Sequence, residues 1–159
     1  MHPIFGDIWE DLESAQGEAA MVEQARARGV SIIASDHDPL ERWLYVSALA
    51  SGIEKIYGGI EKALVRIARS IDGDVPEGAD WHVTLLRRMS RPGPTGRPSV
   101  LAPDTRRQLD QLRAFRHRER NSYADDLRVD LVLGIAAGMG AMLDAVAADI
   151  RRLQEALKA

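Results

Sequence analysis

One apolar stripe constrains this chain more than any other feature. Ile53, Ile56, Ile60, Leu64, Ile67 and Ile71 follow one another at three- and four-residue steps, the spacing that lines up side chains on one face of an α-helix. The start of that helix is also legible. Asp38 can accept hydrogen bonds as an N-cap, Pro39 suits the first helical position, and Glu41 completes a capping box. Gly52, Gly58 and Gly59 interrupt the stripe. Each costs helix stability, so a bend or a close helix crossing is expected there. The helix should stop near Asp72-Gly73-Asp74, ahead of Pro76.

The flanking segments read the same way. Ile8, Leu12, Ala15, Ala19 and Val22 predict a first helix from Asp7 to Arg28, stopping near Gly29. Val30-Ser31-Ile32-Ile33 is then a link, ambiguous between strand and coil. Asp80 is placed to cap a short helix from Trp81 to Met89, where Trp81 reads as a core anchor. From Arg91 to Pro103 four prolines and two glycines exclude regular structure, leaving a lid or a plain connector. A fourth helix begins near Asp104 with Leu109, Leu112 and Phe115 inward. A fifth runs from Val129 to Ala156, its Gly134, Gly138 and Ala141 forming a small-residue stripe read as internal packing rather than a dimer seam. Met139 and Met142 read as core filler. The expected fold is all-α, an up-and-down bundle of about five helices in a single domain over residues 1–159.

Composition excludes several function classes. The chain has 24 acidic and 21 basic residues and a net charge of −3, so any contact with nucleic acid has to be local. It has no cysteine, which removes disulfides, thiolate metal sites and cysteine nucleophiles. No H-E-x-x-H pair occurs, and Gly93-Pro94-Thr95-Gly96-Arg97 lacks the spacing and the lysine of a phosphate-binding loop. His37, between Asp36 and Asp38, could be drawn as a metal ligand, but helix capping already accounts for Asp38. Neither a metal nor a cofactor is expected. The first residues lack the pattern of a signal peptide. The longest uncharged apolar stretch, Leu131 to Leu143, has 13 residues, against roughly 18 for a bilayer span. A soluble, cytoplasmic protein without membrane contact is the expectation.

Chemistry concentrates in the fourth helix. Between Asp104 and Asn121 there are six arginines and three acids, a basic segment in an acidic protein. Arg116, Arg120 and Tyr123 are spaced i, i+4, i+7 and share a helix face. Guanidinium forks beside a phenol suit a phosphodiester. Paired with Glu119, Asp125 or Asp126, the same arginines would form only a salt-bridged surface. Both readings stand on these residues alone.

The segment Arg116-(four residues)-Asn121-x-Tyr123 resembles the R-x4-H-x-Y motif of HepT-type toxins, small all-helical ribonucleases of the HEPN superfamily. Gly52 to Glu61, Trp81-His82-x-x-Leu85-Leu86, Arg91-Pro92 and Phe115-Arg116-His117 extend the likeness over Leu44 to Leu157. Asn121 stands where the family has histidine, and His117 matches a polar residue common after the arginine. The resemblance implies a metal-independent endoribonuclease of a toxin–antitoxin pair, working as a homodimer on RNA. Arg116, Asn121 and His117 would then occupy the catalytic positions, Arg113 and Arg120 would bind phosphate, and Tyr123 would accept AMP from a cognate nucleotidyltransferase antitoxin. Positions 116 and 121 lie about 140° apart on a regular helix, so either the helix ends between them or a partner chain completes the site. An asparagine amide has no proton to exchange near neutral pH. As written, the site should hold phosphate and be inactive or weakened in catalysis. The alternative is a non-catalytic helical module that binds a nucleotidyltransferase or RNA.

Overall fold

The computed structural model describes residues 2–35, 38–120 and 128–158, the side chains of Glu119 and Arg120 excepted. Five α-helices follow in order: α1 Ile4–Ala34, α2 Pro39–Ile67, α3 Trp81–Met89, α4 Pro103–Arg120 and α5 Val129–Ala156. A single π-helical turn, Ala68–Asp72, extends α2 and ends at Gly73, which takes φ +82°. No strand occurs among the described residues. The protein is an all-α bundle.

The apolar stripe forms its axis. Ile53, Ile56, Ile60, Leu64 and Ile67 are all buried, each worth roughly 1.5–3 kcal/mol relative to exposure. Around α2 lie α1, α3, α4 and α5, with α1 packed most extensively. The N-cap reading at the start of α2 holds, because Asp38 Oδ1 accepts from the backbone N–H groups of Leu40 (3.0 Å) and Glu41 (3.2 Å). Asp80 differs. It occupies the position before α3, but its side chain makes no capping bond.

The first helix does not stop at Gly29. It continues to Ala34, and Gly29 is buried within it. A Cβ at Gly29 would lie 2.4 Å from Tyr45 Cδ1, so the glycine admits the Tyr45 ring from α2 instead of ending the helix. Gly52 does the same from the other side, where a Cβ would lie 2.4 Å from Val22 Cγ2. Of the three glycines expected at a bend or close crossing along the stripe, Gly52 and Gly59 meet α1 closely, and a Cβ at Gly59 would lie 3.3 Å from Ala15 Cβ. Nothing described lies within 4 Å of a Cβ at Gly58. Farther along the seam, buried Asp11 of α1 receives Arg66 Nε (2.5 Å) and Lys62 Nζ (2.8 Å) from α2. Burial pushes the Asp11 carboxyl up, but hydrogen bonds from Arg66 and Lys62 outweigh it and hold the group below the ordinary carboxylate range.

The small-residue stripe of α5 is not internal packing. Gly134, Gly138 and Ala141 are exposed, and nothing lies within 4 Å of a Cβ built at either glycine. The two glycines line an open groove of about 410 Å³ between α4 and α5 with Gln108, Gln111 and Ile135. The opposite face of α5 serves the core through Val132, Ala136, Met139, Met142, Val146 and Ile150. By length and mean hydropathy α5 is apolar enough to cross a membrane. That apolar character is spent partly on packing against α1, α2 and α4.

The two kinds of glycine give opposite expectations. Alanine gains about 1 kcal/mol over glycine in a helix, while overfilling a packed contact costs about 1–3 kcal/mol. Gly138→Ala should raise the urea midpoint and Gly52→Ala should lower it. Equal shifts of the same sign would mean that the α1–α2 crossing is not tight at Gly52.

The segment between α3 and α4 is irregular but anchored. Arg97 is buried and grips Asp72 of the π-helical turn twice, Nε to Oδ1 and Nη2 to Oδ2, both at 2.7 Å. Its Nη1 donates to the Pro98 carbonyl at 2.7 Å. Val100 and Leu101 donate backbone N–H groups to Met89, and Ala102 donates to Asp149 of α5. The segment is a connector fastened to the π-helical turn, to α3 and to α5.

Candidate functional site

Glu54, Tyr57 and Glu61 follow each other at i, i+3, i+7 on α2 and so present one edge of that helix. Opposite them α4 carries Arg113, Arg116 and His117, and α3 brings His82. Arg116 is the centre of the cluster. Its side chain is only 16% exposed, too little for a solvated surface arginine. Nη1 donates to Glu61 Oε1 at 3.2 Å, and the guanidinium carbon sits 5.5 Å from the centre of the Tyr57 ring. Nε is buried and has no hydrogen-bond partner among the described residues. Glu54 Oε1 lies 3.5 Å from it, near enough to supply charge but outside hydrogen-bond geometry.

Glu61 is the second hub. It is itself buried, and its other oxygen meets His82 Nδ1 at 2.5 Å. An ionised carboxylate only accepts, so His82 donates through Nδ1. The imidazole stacks on Trp81 with ring centres 3.7 Å apart, which holds its plane. Tyr57 is buried beside Glu61, and burial first, then the Glu61 charge, pushes its hydroxyl well above the ordinary phenol range. Tyr57 therefore stays protonated at any physiological pH.

His82 and Arg116 border a cleft of about 270 Å³, lined also by Asp80, Val83, Arg113 and His117. Two imidazoles and two guanidinium groups thus face one opening of a protein whose net charge is negative. Arg113 is partly exposed and its Nε donates to Asp110 at 2.9 Å. Such a cleft suits a phosphate or another small anion.

Of the residues expected from sequence, Arg113, Arg116 and His117 come together here. Asn121, Tyr123 and the side chain of Arg120 lie outside the described residues, as do His37, Asp125, Asp126 and the side chain of Glu119. The described carboxylates that meet Arg116 come from α2 rather than from its own helix. Sequence reading included Glu54, Tyr57, Glu61 and His82 in the stretches that carry the family likeness but gave none of them a role in the site. One signal was available. Glu61 follows Ile60 directly, one turn before Leu64, on a helix buried on several sides, and a buried carboxylate requires a cation.

Comparison with known proteins adds one finding. The family described as HepT-like protein matches residues 48–157, from the middle of α2 to the end of α5. No curated protein matches the chain, and no solved structure does. The matched region takes in α3, α4 and every residue of the cleft, and it coincides with the span over which the sequence resembles HepT-type proteins. On that match, over more than two thirds of its length, the chain belongs to the HepT-like family.

Proposed function

We propose that the protein is a metal-independent endoribonuclease of the HEPN/nucleotidyltransferase toxin–antitoxin kind, slowed by Asn121 and acting on RNA as a cytoplasmic homodimer. One observation supports this reading above others: Arg113, Arg116 and His117 of α4 meet His82 of α3 around one cleft, and Arg116 and His117 open the segment that resembles the family motif. A backbone phosphate entering there meets two guanidinium groups, which neutralise the charge that grows as the phosphorus is attacked. The 2′-oxygen of the ribose forms a bond to phosphorus while the bond to the 5′-oxygen breaks, leaving a 2′,3′-cyclic phosphate and a 5′-hydroxyl. A proton leaves the 2′-hydroxyl and another reaches the 5′-oxygen. Asn121 cannot carry either, which is why the reaction is slow in this chain.

Dimerisation follows from the split between positions 116 and 121, which a second copy would bridge. Tyr123 is the proposed acceptor of AMP from a nucleotidyltransferase antitoxin. A phosphate added there competes with RNA for the same arginines and fills its path. The reaction as proposed needs no cofactor.

A non-catalytic helical module is the second reading, and the Arg116–Glu61 pair favours it. Glu61 and Glu54 already balance the arginine inside one protomer, as in a structural ion pair.

Binding to a fluorescein-labelled single-stranded RNA, followed by anisotropy in EDTA, tests the cleft. Arg113→Ala should weaken the parent's affinity about three- to tenfold and reduce the salt slope by about one. Unchanged affinity and slope would place RNA elsewhere on the surface.

A further inference from the structure

His82 is built as more than a core residue. Its Nδ1 donates to a buried carboxylate, its ring is stacked on Trp81, and its side chain borders the cleft that holds Arg113 and Arg116. With Nδ1 carrying the proton toward Glu61, Nε2 is left with a lone pair. A carboxylate that fixes tautomer and ring orientation and stabilises the imidazolium is the arrangement that makes histidine a general base. Glu61 does this while its other oxygen holds Arg116 Nη1 at 3.2 Å. One carboxylate therefore sets the position of both a base and an anion-binding guanidinium.

We propose that His82 is the proton-transfer residue of this cleft, with Glu61 as its positioning residue, and that it sustains RNA cleavage in a chain that has asparagine at position 121. The assignment rests on the ribonuclease reading above. His82 Nε2 takes the proton of the ribose 2′-hydroxyl as the 2′-oxygen bonds to phosphorus. The bond from phosphorus to the 5′-oxygen breaks, and that oxygen takes a proton from water. The imidazolium then returns its proton to solvent, so nothing is oxidised or reduced and no co-reactant is consumed. Among the described residues, the charged and titratable groups facing His82 are Glu61 from α2, Arg113, Arg116 and His117 from α4, and Asp80 beside it on the approach to α3. Only Glu61 is hydrogen-bonded to the ring among the described residues.

The test uses the full-length parent, His82→Asn, His82→Gln, Glu61→Gln and Asn121→His, each confirmed as folded by circular dichroism. Each is incubated in EDTA with end-labelled single-stranded RNA, and product ends are scored for 2′,3′-cyclic phosphate. His82→Asn keeps an amide donor where Nδ1 meets Glu61 but removes the base, and should lower the parent's rate about 10²–10³-fold. His82→Gln should do the same from a different rotamer, so a folding defect in one variant does not decide the result. Glu61→Gln should lower kcat and move the acidic limb of the pH–rate profile to lower pH, because the imidazolium loses its counter-charge. A purely structural Glu61 would leave that limb in place. A folded His82→Asn or His82→Gln that cleaves at the parent's rate overturns the assignment. An inert parent beside an active Asn121→His also overturns it and leaves the ribonuclease reading standing. Inertness of both overturns that reading, and the assignment of His82 falls with it.

Discussion

Replacing Asn121 with histidine is expected to raise metal-independent RNA cleavage by about 10²–10⁴-fold over the parent, the usual range for a positioned general acid or base. The expectation separates two functions of the segment. Arg116 supplies fixed positive charge, which the substitution leaves alone. A histidine at 121 would add a second proton-transfer group beside His82, a role that an amide cannot perform and an imidazole can. Asn121→Ala should therefore change little, since it removes a group that was not exchanging protons. Expression of Asn121→His should become toxic to a host that tolerates the parent, and cleavage should persist in EDTA. Gel assays of structured and unstructured RNA, beside growth curves under induced expression, measure both. A gain that disappears in EDTA would point to a contaminating metal-dependent nuclease.

The largest stability effect is expected far from the cleft, at the Arg97–Asp72 pair. Arg97 and Asp72 side chains are 1% and 4% exposed, joined by two bonds of 2.7 Å. Removing one partner leaves the other charged, buried and unpaired, which typically costs about 3–5 kcal/mol. Arg97→Ala also takes a donor from the Pro98 carbonyl and empties the space beside Gly93, where a Cβ would lie 3.0 Å from Arg97 Nε and Nη2. For a domain of this size the loss corresponds to a fall in Tm of roughly 10 °C. Replacing both partners, as in Arg97→Met with Asp72→Leu, should recover much of the loss, because the desolvation of two charges is no longer required. Calorimetry of the parent, the single variants and the double variant measures this. A single variant within about 0.5 kcal/mol of the parent would mean that water reaches the pair.

The sequence revealed those parts of the fold whose causes are local. The α2 start could be read because Asp38, Pro39 and the first backbone N–H groups interact within one turn. The bounds of α3 and α5 were also legible, although neither helix start carries a side-chain cap. Gly29 was misleading because its role is set by Tyr45, a residue on the next helix. The α5 glycines misled in the opposite direction, since spacing identifies a face but not what lies against it. The site divides along the same line. Arg113, Arg116 and His117 were visible as a basic cluster on one helix, whereas Glu61 and His82 acquire meaning only when α2, α3 and α4 are brought together. No local pattern links position 61 to position 82 or 116. Sequence reading also set the Arg91–Pro103 segment between lid and connector, and the buried Arg97 pair makes it a connector.

If the cleft around Arg116 is where RNA is cut, activity gained at position 121 must depend on that arginine. The measurement is the rate at which end-labelled RNA is converted to 2′,3′-cyclic-phosphate products in EDTA, by Asn121→His and by Asn121→His combined with Arg116→Ala. Both proteins are to be compared at equal concentration, with fold and oligomeric state verified by circular dichroism and light scattering. The expected result is clear cleavage by the single variant and loss of nearly all the gained activity in the double variant, because the attacked phosphate loses its fixed counter-charge. A double variant as active as the single one, or a folded, dimeric Asn121→His that leaves RNA intact, would contradict the catalytic assignment and make the non-catalytic module the correct reading.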